Sequence, residues 1–157
     1  MAINYLKKGK TDAAKAIDDA QVSEIVKNTL KAIEERGDEA VKEFAKKFDN
    51  YTPESFKLSQ AEIDNLINQV SKQDLEDIKF AQEQVRNFAQ AQRDSMQDIE
   101  VETMPGVILG HKNIPVQSVG CYIPAGKFPM VASAHMSVVT ASVAKVPRII
   151  ACTPPYQ

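Results

Sequence analysis

The sequence has no tryptophan, two cysteines and two histidines in 157 residues, and each shortage closes off a class of chemistry. Cys121 and Cys152 do not form a Cys-x-x-Cys pair, and each falls within an apolar run. They read as two buried thiols in a reducing compartment rather than a disulfide framework or a metal knuckle. His111 and His135 stand far apart with no carboxylate pattern beside them, which argues against a metal site inside the chain. The Gly-x-Gly-x-x-Gly fingerprint, the phosphate-binding loop with its lysine, His-Glu-x-x-His and the nucleophile elbow are all missing. No apolar run approaches the ~20 residues that cross a bilayer. The first residues, Met-Ala-Ile-Asn-Tyr-Leu-Lys-Lys, lack the apolar stretch and cleavage site of a secretory signal, so the cytoplasm is the expected compartment. A net charge of −2 gives no electrostatic reason to expect nucleic acid or a membrane as partner.

What is present is an ordinary globular composition, 43% hydrophobic and 25% charged, in a length that allows one domain with a small appendage. Ile3 to Leu6 suggests a short strand, and the polar stretch up to residue 20 reads as weakly ordered. From Gln21 to Arg36, Val22, Ile25, Val26, Thr29, Leu30 and Ile33 recur at helical spacing, and Gly37 follows as a stop. Asp38 is positioned to cap a second helix with Ala40, Val41, Phe44, Ala45 and Phe48 on its inner face. Ser59 with Glu62 forms a capping box before Ile63, Leu66, Ile67 and Val70, and Ser71 with Asp74 repeats the signature before a long amphipathic helix reaching about Arg93. After Ser95 the period changes to two. Ile99, Val101 and Thr103 alternate with charged or polar residues, Met104-Pro105-Gly106-Val107 carries type II turn chemistry, and Val107 to Gly110 returns as the second strand of a hairpin.

The stretch from Val119 to Pro155 reads as strand, tight turn, helix, strand. Val119 to Ile123 is apolar, Pro124-Ala125-Gly126 ends it, and Pro129 suits the first turn of a helix. Met130 to Ala144 is small or apolar nearly all round, which predicts a helix buried on most of its surface. Arg148 to Thr153 supplies the next strand, stopped by Pro154-Pro155. The expected fold class is α/β. It comprises a helical region over 1–95, then a β-hairpin and the first β-α-β unit of an incomplete Rossmann-like parallel sheet over 96–157. Two parallel strands are fewer than such sheets normally have, so the chain is expected to be the front part of a longer polypeptide.

In open parallel sheets, ligands gather beyond the carboxyl ends of the strands, where the start of the next helix offers N–H groups to an anion. This makes the turn after the first crossover strand the candidate site. Tyr122 can present a flat face to a base or ribose, or pack between sheet and helices. Gly126 permits close backbone approach, and Lys127 is either an anion contact or a solvated loop charge. Ser133 and His135 lie further into the helix and read more simply as packing residues.

Arg36-Gly37-Asp38-Glu39-Ala40, Phe48-Asp49, Val85-Arg86-Asn87-Phe88 with Gln92, Ile114-Pro115-Val116, Val119 through Gly126 and Ala151-Cys152-Thr153-Pro154-Pro155 occur in one order along nearly the whole chain. Together they resemble the N-terminal portion of the histidinol dehydrogenase family. Cys121 before Tyr122 and the run Ala132-Ser133-Ala134-x-Met136 are closer to its sulfopropanediol dehydrogenase branch. The resemblance implies a homodimeric, zinc-containing enzyme that uses NAD to oxidise a small-molecule alcohol to an aldehyde and then to a carboxylate. It implies that Tyr122 contacts NAD, with Pro124, Gly126 and Lys127 beside it. No residue of this chain is expected to be catalytic or to bind zinc, since those positions belong to later parts of the family sequence. Two departures stand out: Ala125 replaces the first glycine of Pro-Gly-Gly, and Lys145 replaces a glycine near the helix end. The alternative reading is a free-standing interaction module whose half-built sheet is completed by self-association or by a partner.

Overall fold

A computed structural model describes Gly9, residues 11–125 and residues 128–155, and it is an α/β structure. The expected strand Ile3 to Leu6 lies outside the described residues. The chain forms two compact units, Met1–Glu54 and Ser55–Gln157.

In the first unit, α1 spans Asp12–Arg36 and α2 spans Asp38–Asp49. Helix α1 begins about nine residues earlier than its apolar stripe predicts. The extra turns are rich in alanine, the strongest helix former, with Asp12 in the first turn and a Lys15–Asp12 pair at 3.2 Å. Stripe-reading misses such a segment because propensity, not burial, makes it helical. Gly37 sits at φ 57 between the helices, and its N–H still donates to the Ile33 carbonyl. The N-cap of α2 is therefore Gly37 with no side-chain cap, and Asp38 is the first helical residue rather than the cap. The helices meet at Ala40, which is fully buried, and Arg36 donates to Glu43 at 2.7 Å alongside.

The second unit opens with α3, Gln60–Gln69, and α4, Lys72–Asp94. The capping box is complete: the Ser59 hydroxyl accepts the Glu62 N–H, and the Glu62 carboxylate accepts the Ser59 N–H at 2.7 Å. The Ser71 hydroxyl caps α4 in the same way by accepting the Asp74 N–H at 3.1 Å. Strands β1, Ile99–Met104, and β2, Val107–His111, pair antiparallel around Gly106, whose φ of 82 suits the turn the sequence predicts. The Glu102 carboxylate accepts the Gly106 N–H at 2.7 Å and holds that turn shut.

Strands β3, Ser118–Tyr122, and β4, Arg148–Cys152, pair parallel, and the crossover helix joins them. That helix, α5, starts at Val131, two residues after the predicted Pro129. It runs α-helical over Val131–Ala134, widens to a π-helical turn over His135–Val139 and returns to α over Thr140–Val143. The Ser137 hydroxyl donates to the Ser133 carbonyl at 2.6 Å, and the Thr140 hydroxyl donates to the Met136 carbonyl. Hydroxyls that bond back onto the preceding turn compete with the regular ladder and accompany such bulges. Helix α4 packs on α5, and the small core is Ala89, Cys121, His135, Val139 and Val143. Only one face of α5 is covered; Val131, Met136 and Thr140 are exposed, so the predicted burial of most of its surface does not hold.

Candidate functional site at the end of the parallel strands

In the parallel ladder Ser118 lies opposite Arg148, Cys121 opposite Ala151 and Tyr122 opposite Cys152. The ladder continues past the strand end, where the Ile123 N–H donates to the Cys152 carbonyl at 2.8 Å. Because side chains alternate along a strand, Cys121 points to the helix side and is 4% exposed, while Tyr122 points to the other side and is 63% exposed. Ile150 and Cys152 share the open face with Tyr122, and both are exposed. Cys121 is thus the buried thiol the sequence predicts, and Cys152 is not buried: its parity in β4 sends it to the bare side of the sheet.

Tyr122 is therefore not wedged between sheet and helices. Its ring stands free at the carboxyl end of β3, where a flat aromatic can stack on another planar group. Pro124 follows, half-buried, and its carbonyl accepts the Met130 N–H at 3.0 Å, which folds the turn back onto the start of α5. Ala125 is not among the residues with positive φ, so the alanine that replaces a family glycine sits there without left-handed strain. Gly126 and Lys127 lie outside the described residues. Of the predicted contacts, the structure brings Tyr122 and Pro124 to one end of the sheet. Cys152 joins them: the family resemblance runs through Ala151-Cys152-Thr153, but only the strand register puts it on Tyr122's rung.

A second polar cluster ties the base of the hairpin. One Asp98 carboxylate oxygen accepts the Asn113 backbone N–H at 2.9 Å and its side-chain amide at 3.0 Å, and His111 Nε2 lies 3.0 Å from the Gln97 carbonyl. The Asn113 backbone N–H, then its side chain, holds the Asp98 carboxyl below its ordinary range, with smaller help from Arg93 and His111. Among the described residues no three His, Cys, Asp or Glu side chains converge as metal ligands.

With this geometry in place, the relatives can be compared. Residues 12–157 match the model of the family described as histidinol dehydrogenase. The chain belongs to the histidinol dehydrogenase family. A histidinol dehydrogenase homolog from Shouchella clausii is 54% identical over 151 residues, which is 96% of this chain and 36% of that relative. Sulfopropanediol 3-dehydrogenase from Ruegeria pomeroyi is 43% identical over 155 residues, covering 99% of this chain and 35% of the enzyme. The crystal structure of histidinol dehydrogenase from Elizabethkingia anophelis superposes with a TM-score of 0.78 at 26% identity, over 97% of this chain and 32% of that one. The chain thus spans about a third of the length of the relatives it matches. Family membership makes it a segment of dehydrogenase sequence. No helix among the described residues is long and apolar enough to cross a membrane.

Proposed function

We propose that this chain forms part of the cofactor wall of a zinc- and NAD-dependent alcohol dehydrogenase, with residues 96–157 beginning the NAD-binding domain. The observation that supports it is the free ring of Tyr122, 63% exposed at the carboxyl end of a parallel strand, on the open face it shares with Cys152. In this reading Tyr122 stacks on the nucleotide and Pro124 sets the direction of the turn. The Gly126 backbone and the Lys127 ammonium then take the phosphates. NAD would supply the hydride acceptor for this oxidation, two molecules being needed: one for alcohol to aldehyde and a second, with water adding the oxygen, for aldehyde to carboxylate.

The residues of this chain bind and orient; none of them moves the substrate proton. Hydride transfer needs substrate, base and cofactor in one near-attack arrangement. The chain by itself therefore binds NAD weakly and turns over no substrate. The similarity to a sulfopropanediol 3-dehydrogenase makes a short sulfonated diol a substrate to assay beside histidinol. Homodimeric assembly and a cytoplasmic location go with the same reading.

Saturation-transfer NMR with NAD tests it. Adenine protons should receive magnetisation from the chain, and Tyr122→Ala should abolish the transfer. Equal transfer to Tyr122→Ala sinks the assignment of the ring, and NADH formed by the isolated chain with either alcohol sinks the assignment of its role.

A further inference from the structure

Among the described residues His135 is the only buried polar side chain, 8% exposed, and its ring has no hydrogen-bond or ion-pair partner among them. In either tautomer a neutral imidazole carries one N–H donor and one bare nitrogen. Enclosing both without partners costs stability that a leucine of similar bulk would not cost. No fully enclosed side-chain nitrogen or oxygen among the described residues lacks a partner, so the nitrogens of His135 keep an opening to the outside.

The backbone shows which way that opening faces. His135, Val139 and Val143 follow at four-residue steps and are all buried, which puts them on the face of α5 that packs on β3 and α4. A helical side chain leans toward the N-terminus of its helix and covers the turn before its own Cα. For His135 that turn is Val131–Ala134, and the Met130 N–H on the Pro124 carbonyl holds its start beside the end of β3. The ring therefore leans toward the carboxyl end of β3, with its Cα only about 6 Å along the helix from Val131. His135 also opens the π-helical turn, a feature frequent at functional sites. The Ser137 and Thr140 hydroxyls of that turn bond to the Ser133 and Met136 carbonyls and leave the ring alone.

We propose that His135 is a binding residue whose ring N–H donates to an anionic oxygen of a ligand seated across the carboxyl end of β3. Two groups carry that chemistry, a phosphate of the nucleotide and the sulfonate of a sulfonated diol. Tyr122 then holds the ligand from the open face of the sheet, and His135 holds it from the helix side that Cys121 shares. The proposal rests on the cofactor reading for the place of the ligand and not for the role of the Tyr122 ring.

Imidazole nitrogen NMR signals of the isotope-labelled chain test it, and with two histidines His111→Gln completes the assignment. Titration with NAD or with sulfopropanediol should move the His135 signals and leave those of His111 in place. A shift with NAD alone names the phosphate as the bound group, and a shift with sulfopropanediol alone names the sulfonate. Histidinol, which has no anionic group, should move neither histidine. His135→Leu should keep or raise the melting midpoint and weaken binding of the shifting probe about tenfold, while His135→Gln, which retains an N–H, should bind within about threefold of the parent. His135 signals unmoved by both anions, as for a ring satisfied by water, would overturn the proposal. So would equal shifts with histidinol, or a leucine variant that binds as tightly as the parent. NAD binding lost in Tyr122→Ala while His135 stays silent removes the proposal and keeps the cofactor reading. Binding lost in His135→Leu but kept in Tyr122→Ala retains the proposal and removes the ring.

Discussion

Tyr122 and Cys152 are partners on the last rung of the parallel β3–β4 pair, both on the face opposite Cys121. Thiol reagents distinguish these faces, because only an accessible thiol reacts in the native state. Titration with a chromogenic disulfide should consume one thiol per chain rapidly and the second only after unfolding. Cys152→Ser should remove the fast phase and Cys121→Ser the slow one. If the ring of Tyr122 carries NAD, saturating NAD should slow the fast phase several-fold. Equal rates for the two thiols would falsify the parity that places Tyr122 on the open face.

Lys145 closes the crossover helix in a left-handed conformation at φ 61. Its N–H donates to the Ser142 carbonyl at 3.0 Å and the Val146 N–H to the Ala141 carbonyl at 3.2 Å, the paired bonds of a Schellman motif, with lysine in the place that favours glycine. A left-handed non-glycine residue costs about 1 kcal/mol, partly offset in a glycine variant by the entropy of its unfolded chain. Lys145→Gly should therefore stabilise the second unit by about 0.5 kcal/mol and raise its midpoint by a few degrees. Lys145→Val should lower it by more than that. Thermal unfolding followed by circular dichroism decides the sign.

Gly110 lies opposite Glu100, and a Cβ built on it would overlap the Ile99 carbonyl oxygen. The obstacle is backbone, so it cannot swing aside as a side chain would. Gly110→Ala should cost about 1–3 kcal/mol of hairpin stability. Amide exchange should accelerate across β1 and β2 while the amides of α4 keep their protection. An unchanged hairpin would mean that the two strands can separate there without loss.

Much of this architecture was legible because local chemistry agreed with it. Both Ser-x-x-acid caps, the Pro105-Gly106 turn, and the β3, α5, β4 order are set by contacts within a few residues, and all stand where the sequence puts them. The readings that failed depend on information that is not local. The burial of α5 and of Cys152 was read from apolar composition, but composition does not say which face finds cover. The alanine-rich start of α1 carries no stripe to detect. The bulge at Thr103, which gathers Met104 with Val101 and Leu109, depends on a register that alternation alone does not fix. At the candidate site, the place of Tyr122 at the end of β3 was legible from the strand-turn pattern, whereas its exposure was not. Its neighbour Cys152 emerges only when two strands thirty residues apart are aligned.

Acid should loosen the second unit through two exposed carboxylates whose hydrogen bonds hold them below their ordinary range. In Glu62 the cause is the Ser59 side chain first and its backbone N–H second; in Asp98 it is the Asn113 backbone N–H first. A carboxylate with a lowered folded-state pKa stabilises the fold above its unfolded value, near 4, and loses that contribution as pH falls through the lower folded value. Stability should thus be level from neutrality to about pH 5 and decline below pH 4. Ser59→Ala removes both the cap and the leading cause of the Glu62 shift. It should cost about 1 kcal/mol at pH 7 and less once the pH has fallen below the lowered Glu62 value, where Glu62 is protonated in either form. Carboxyl carbon shifts across a pH titration provide the check. Glu62 should titrate below the ordinary glutamate value in the parent chain and return toward it in Ser59→Ala, while Asp98 stays low in both. A Glu62 midpoint that ignores Ser59 would show that the reciprocal cap does not persist in solution.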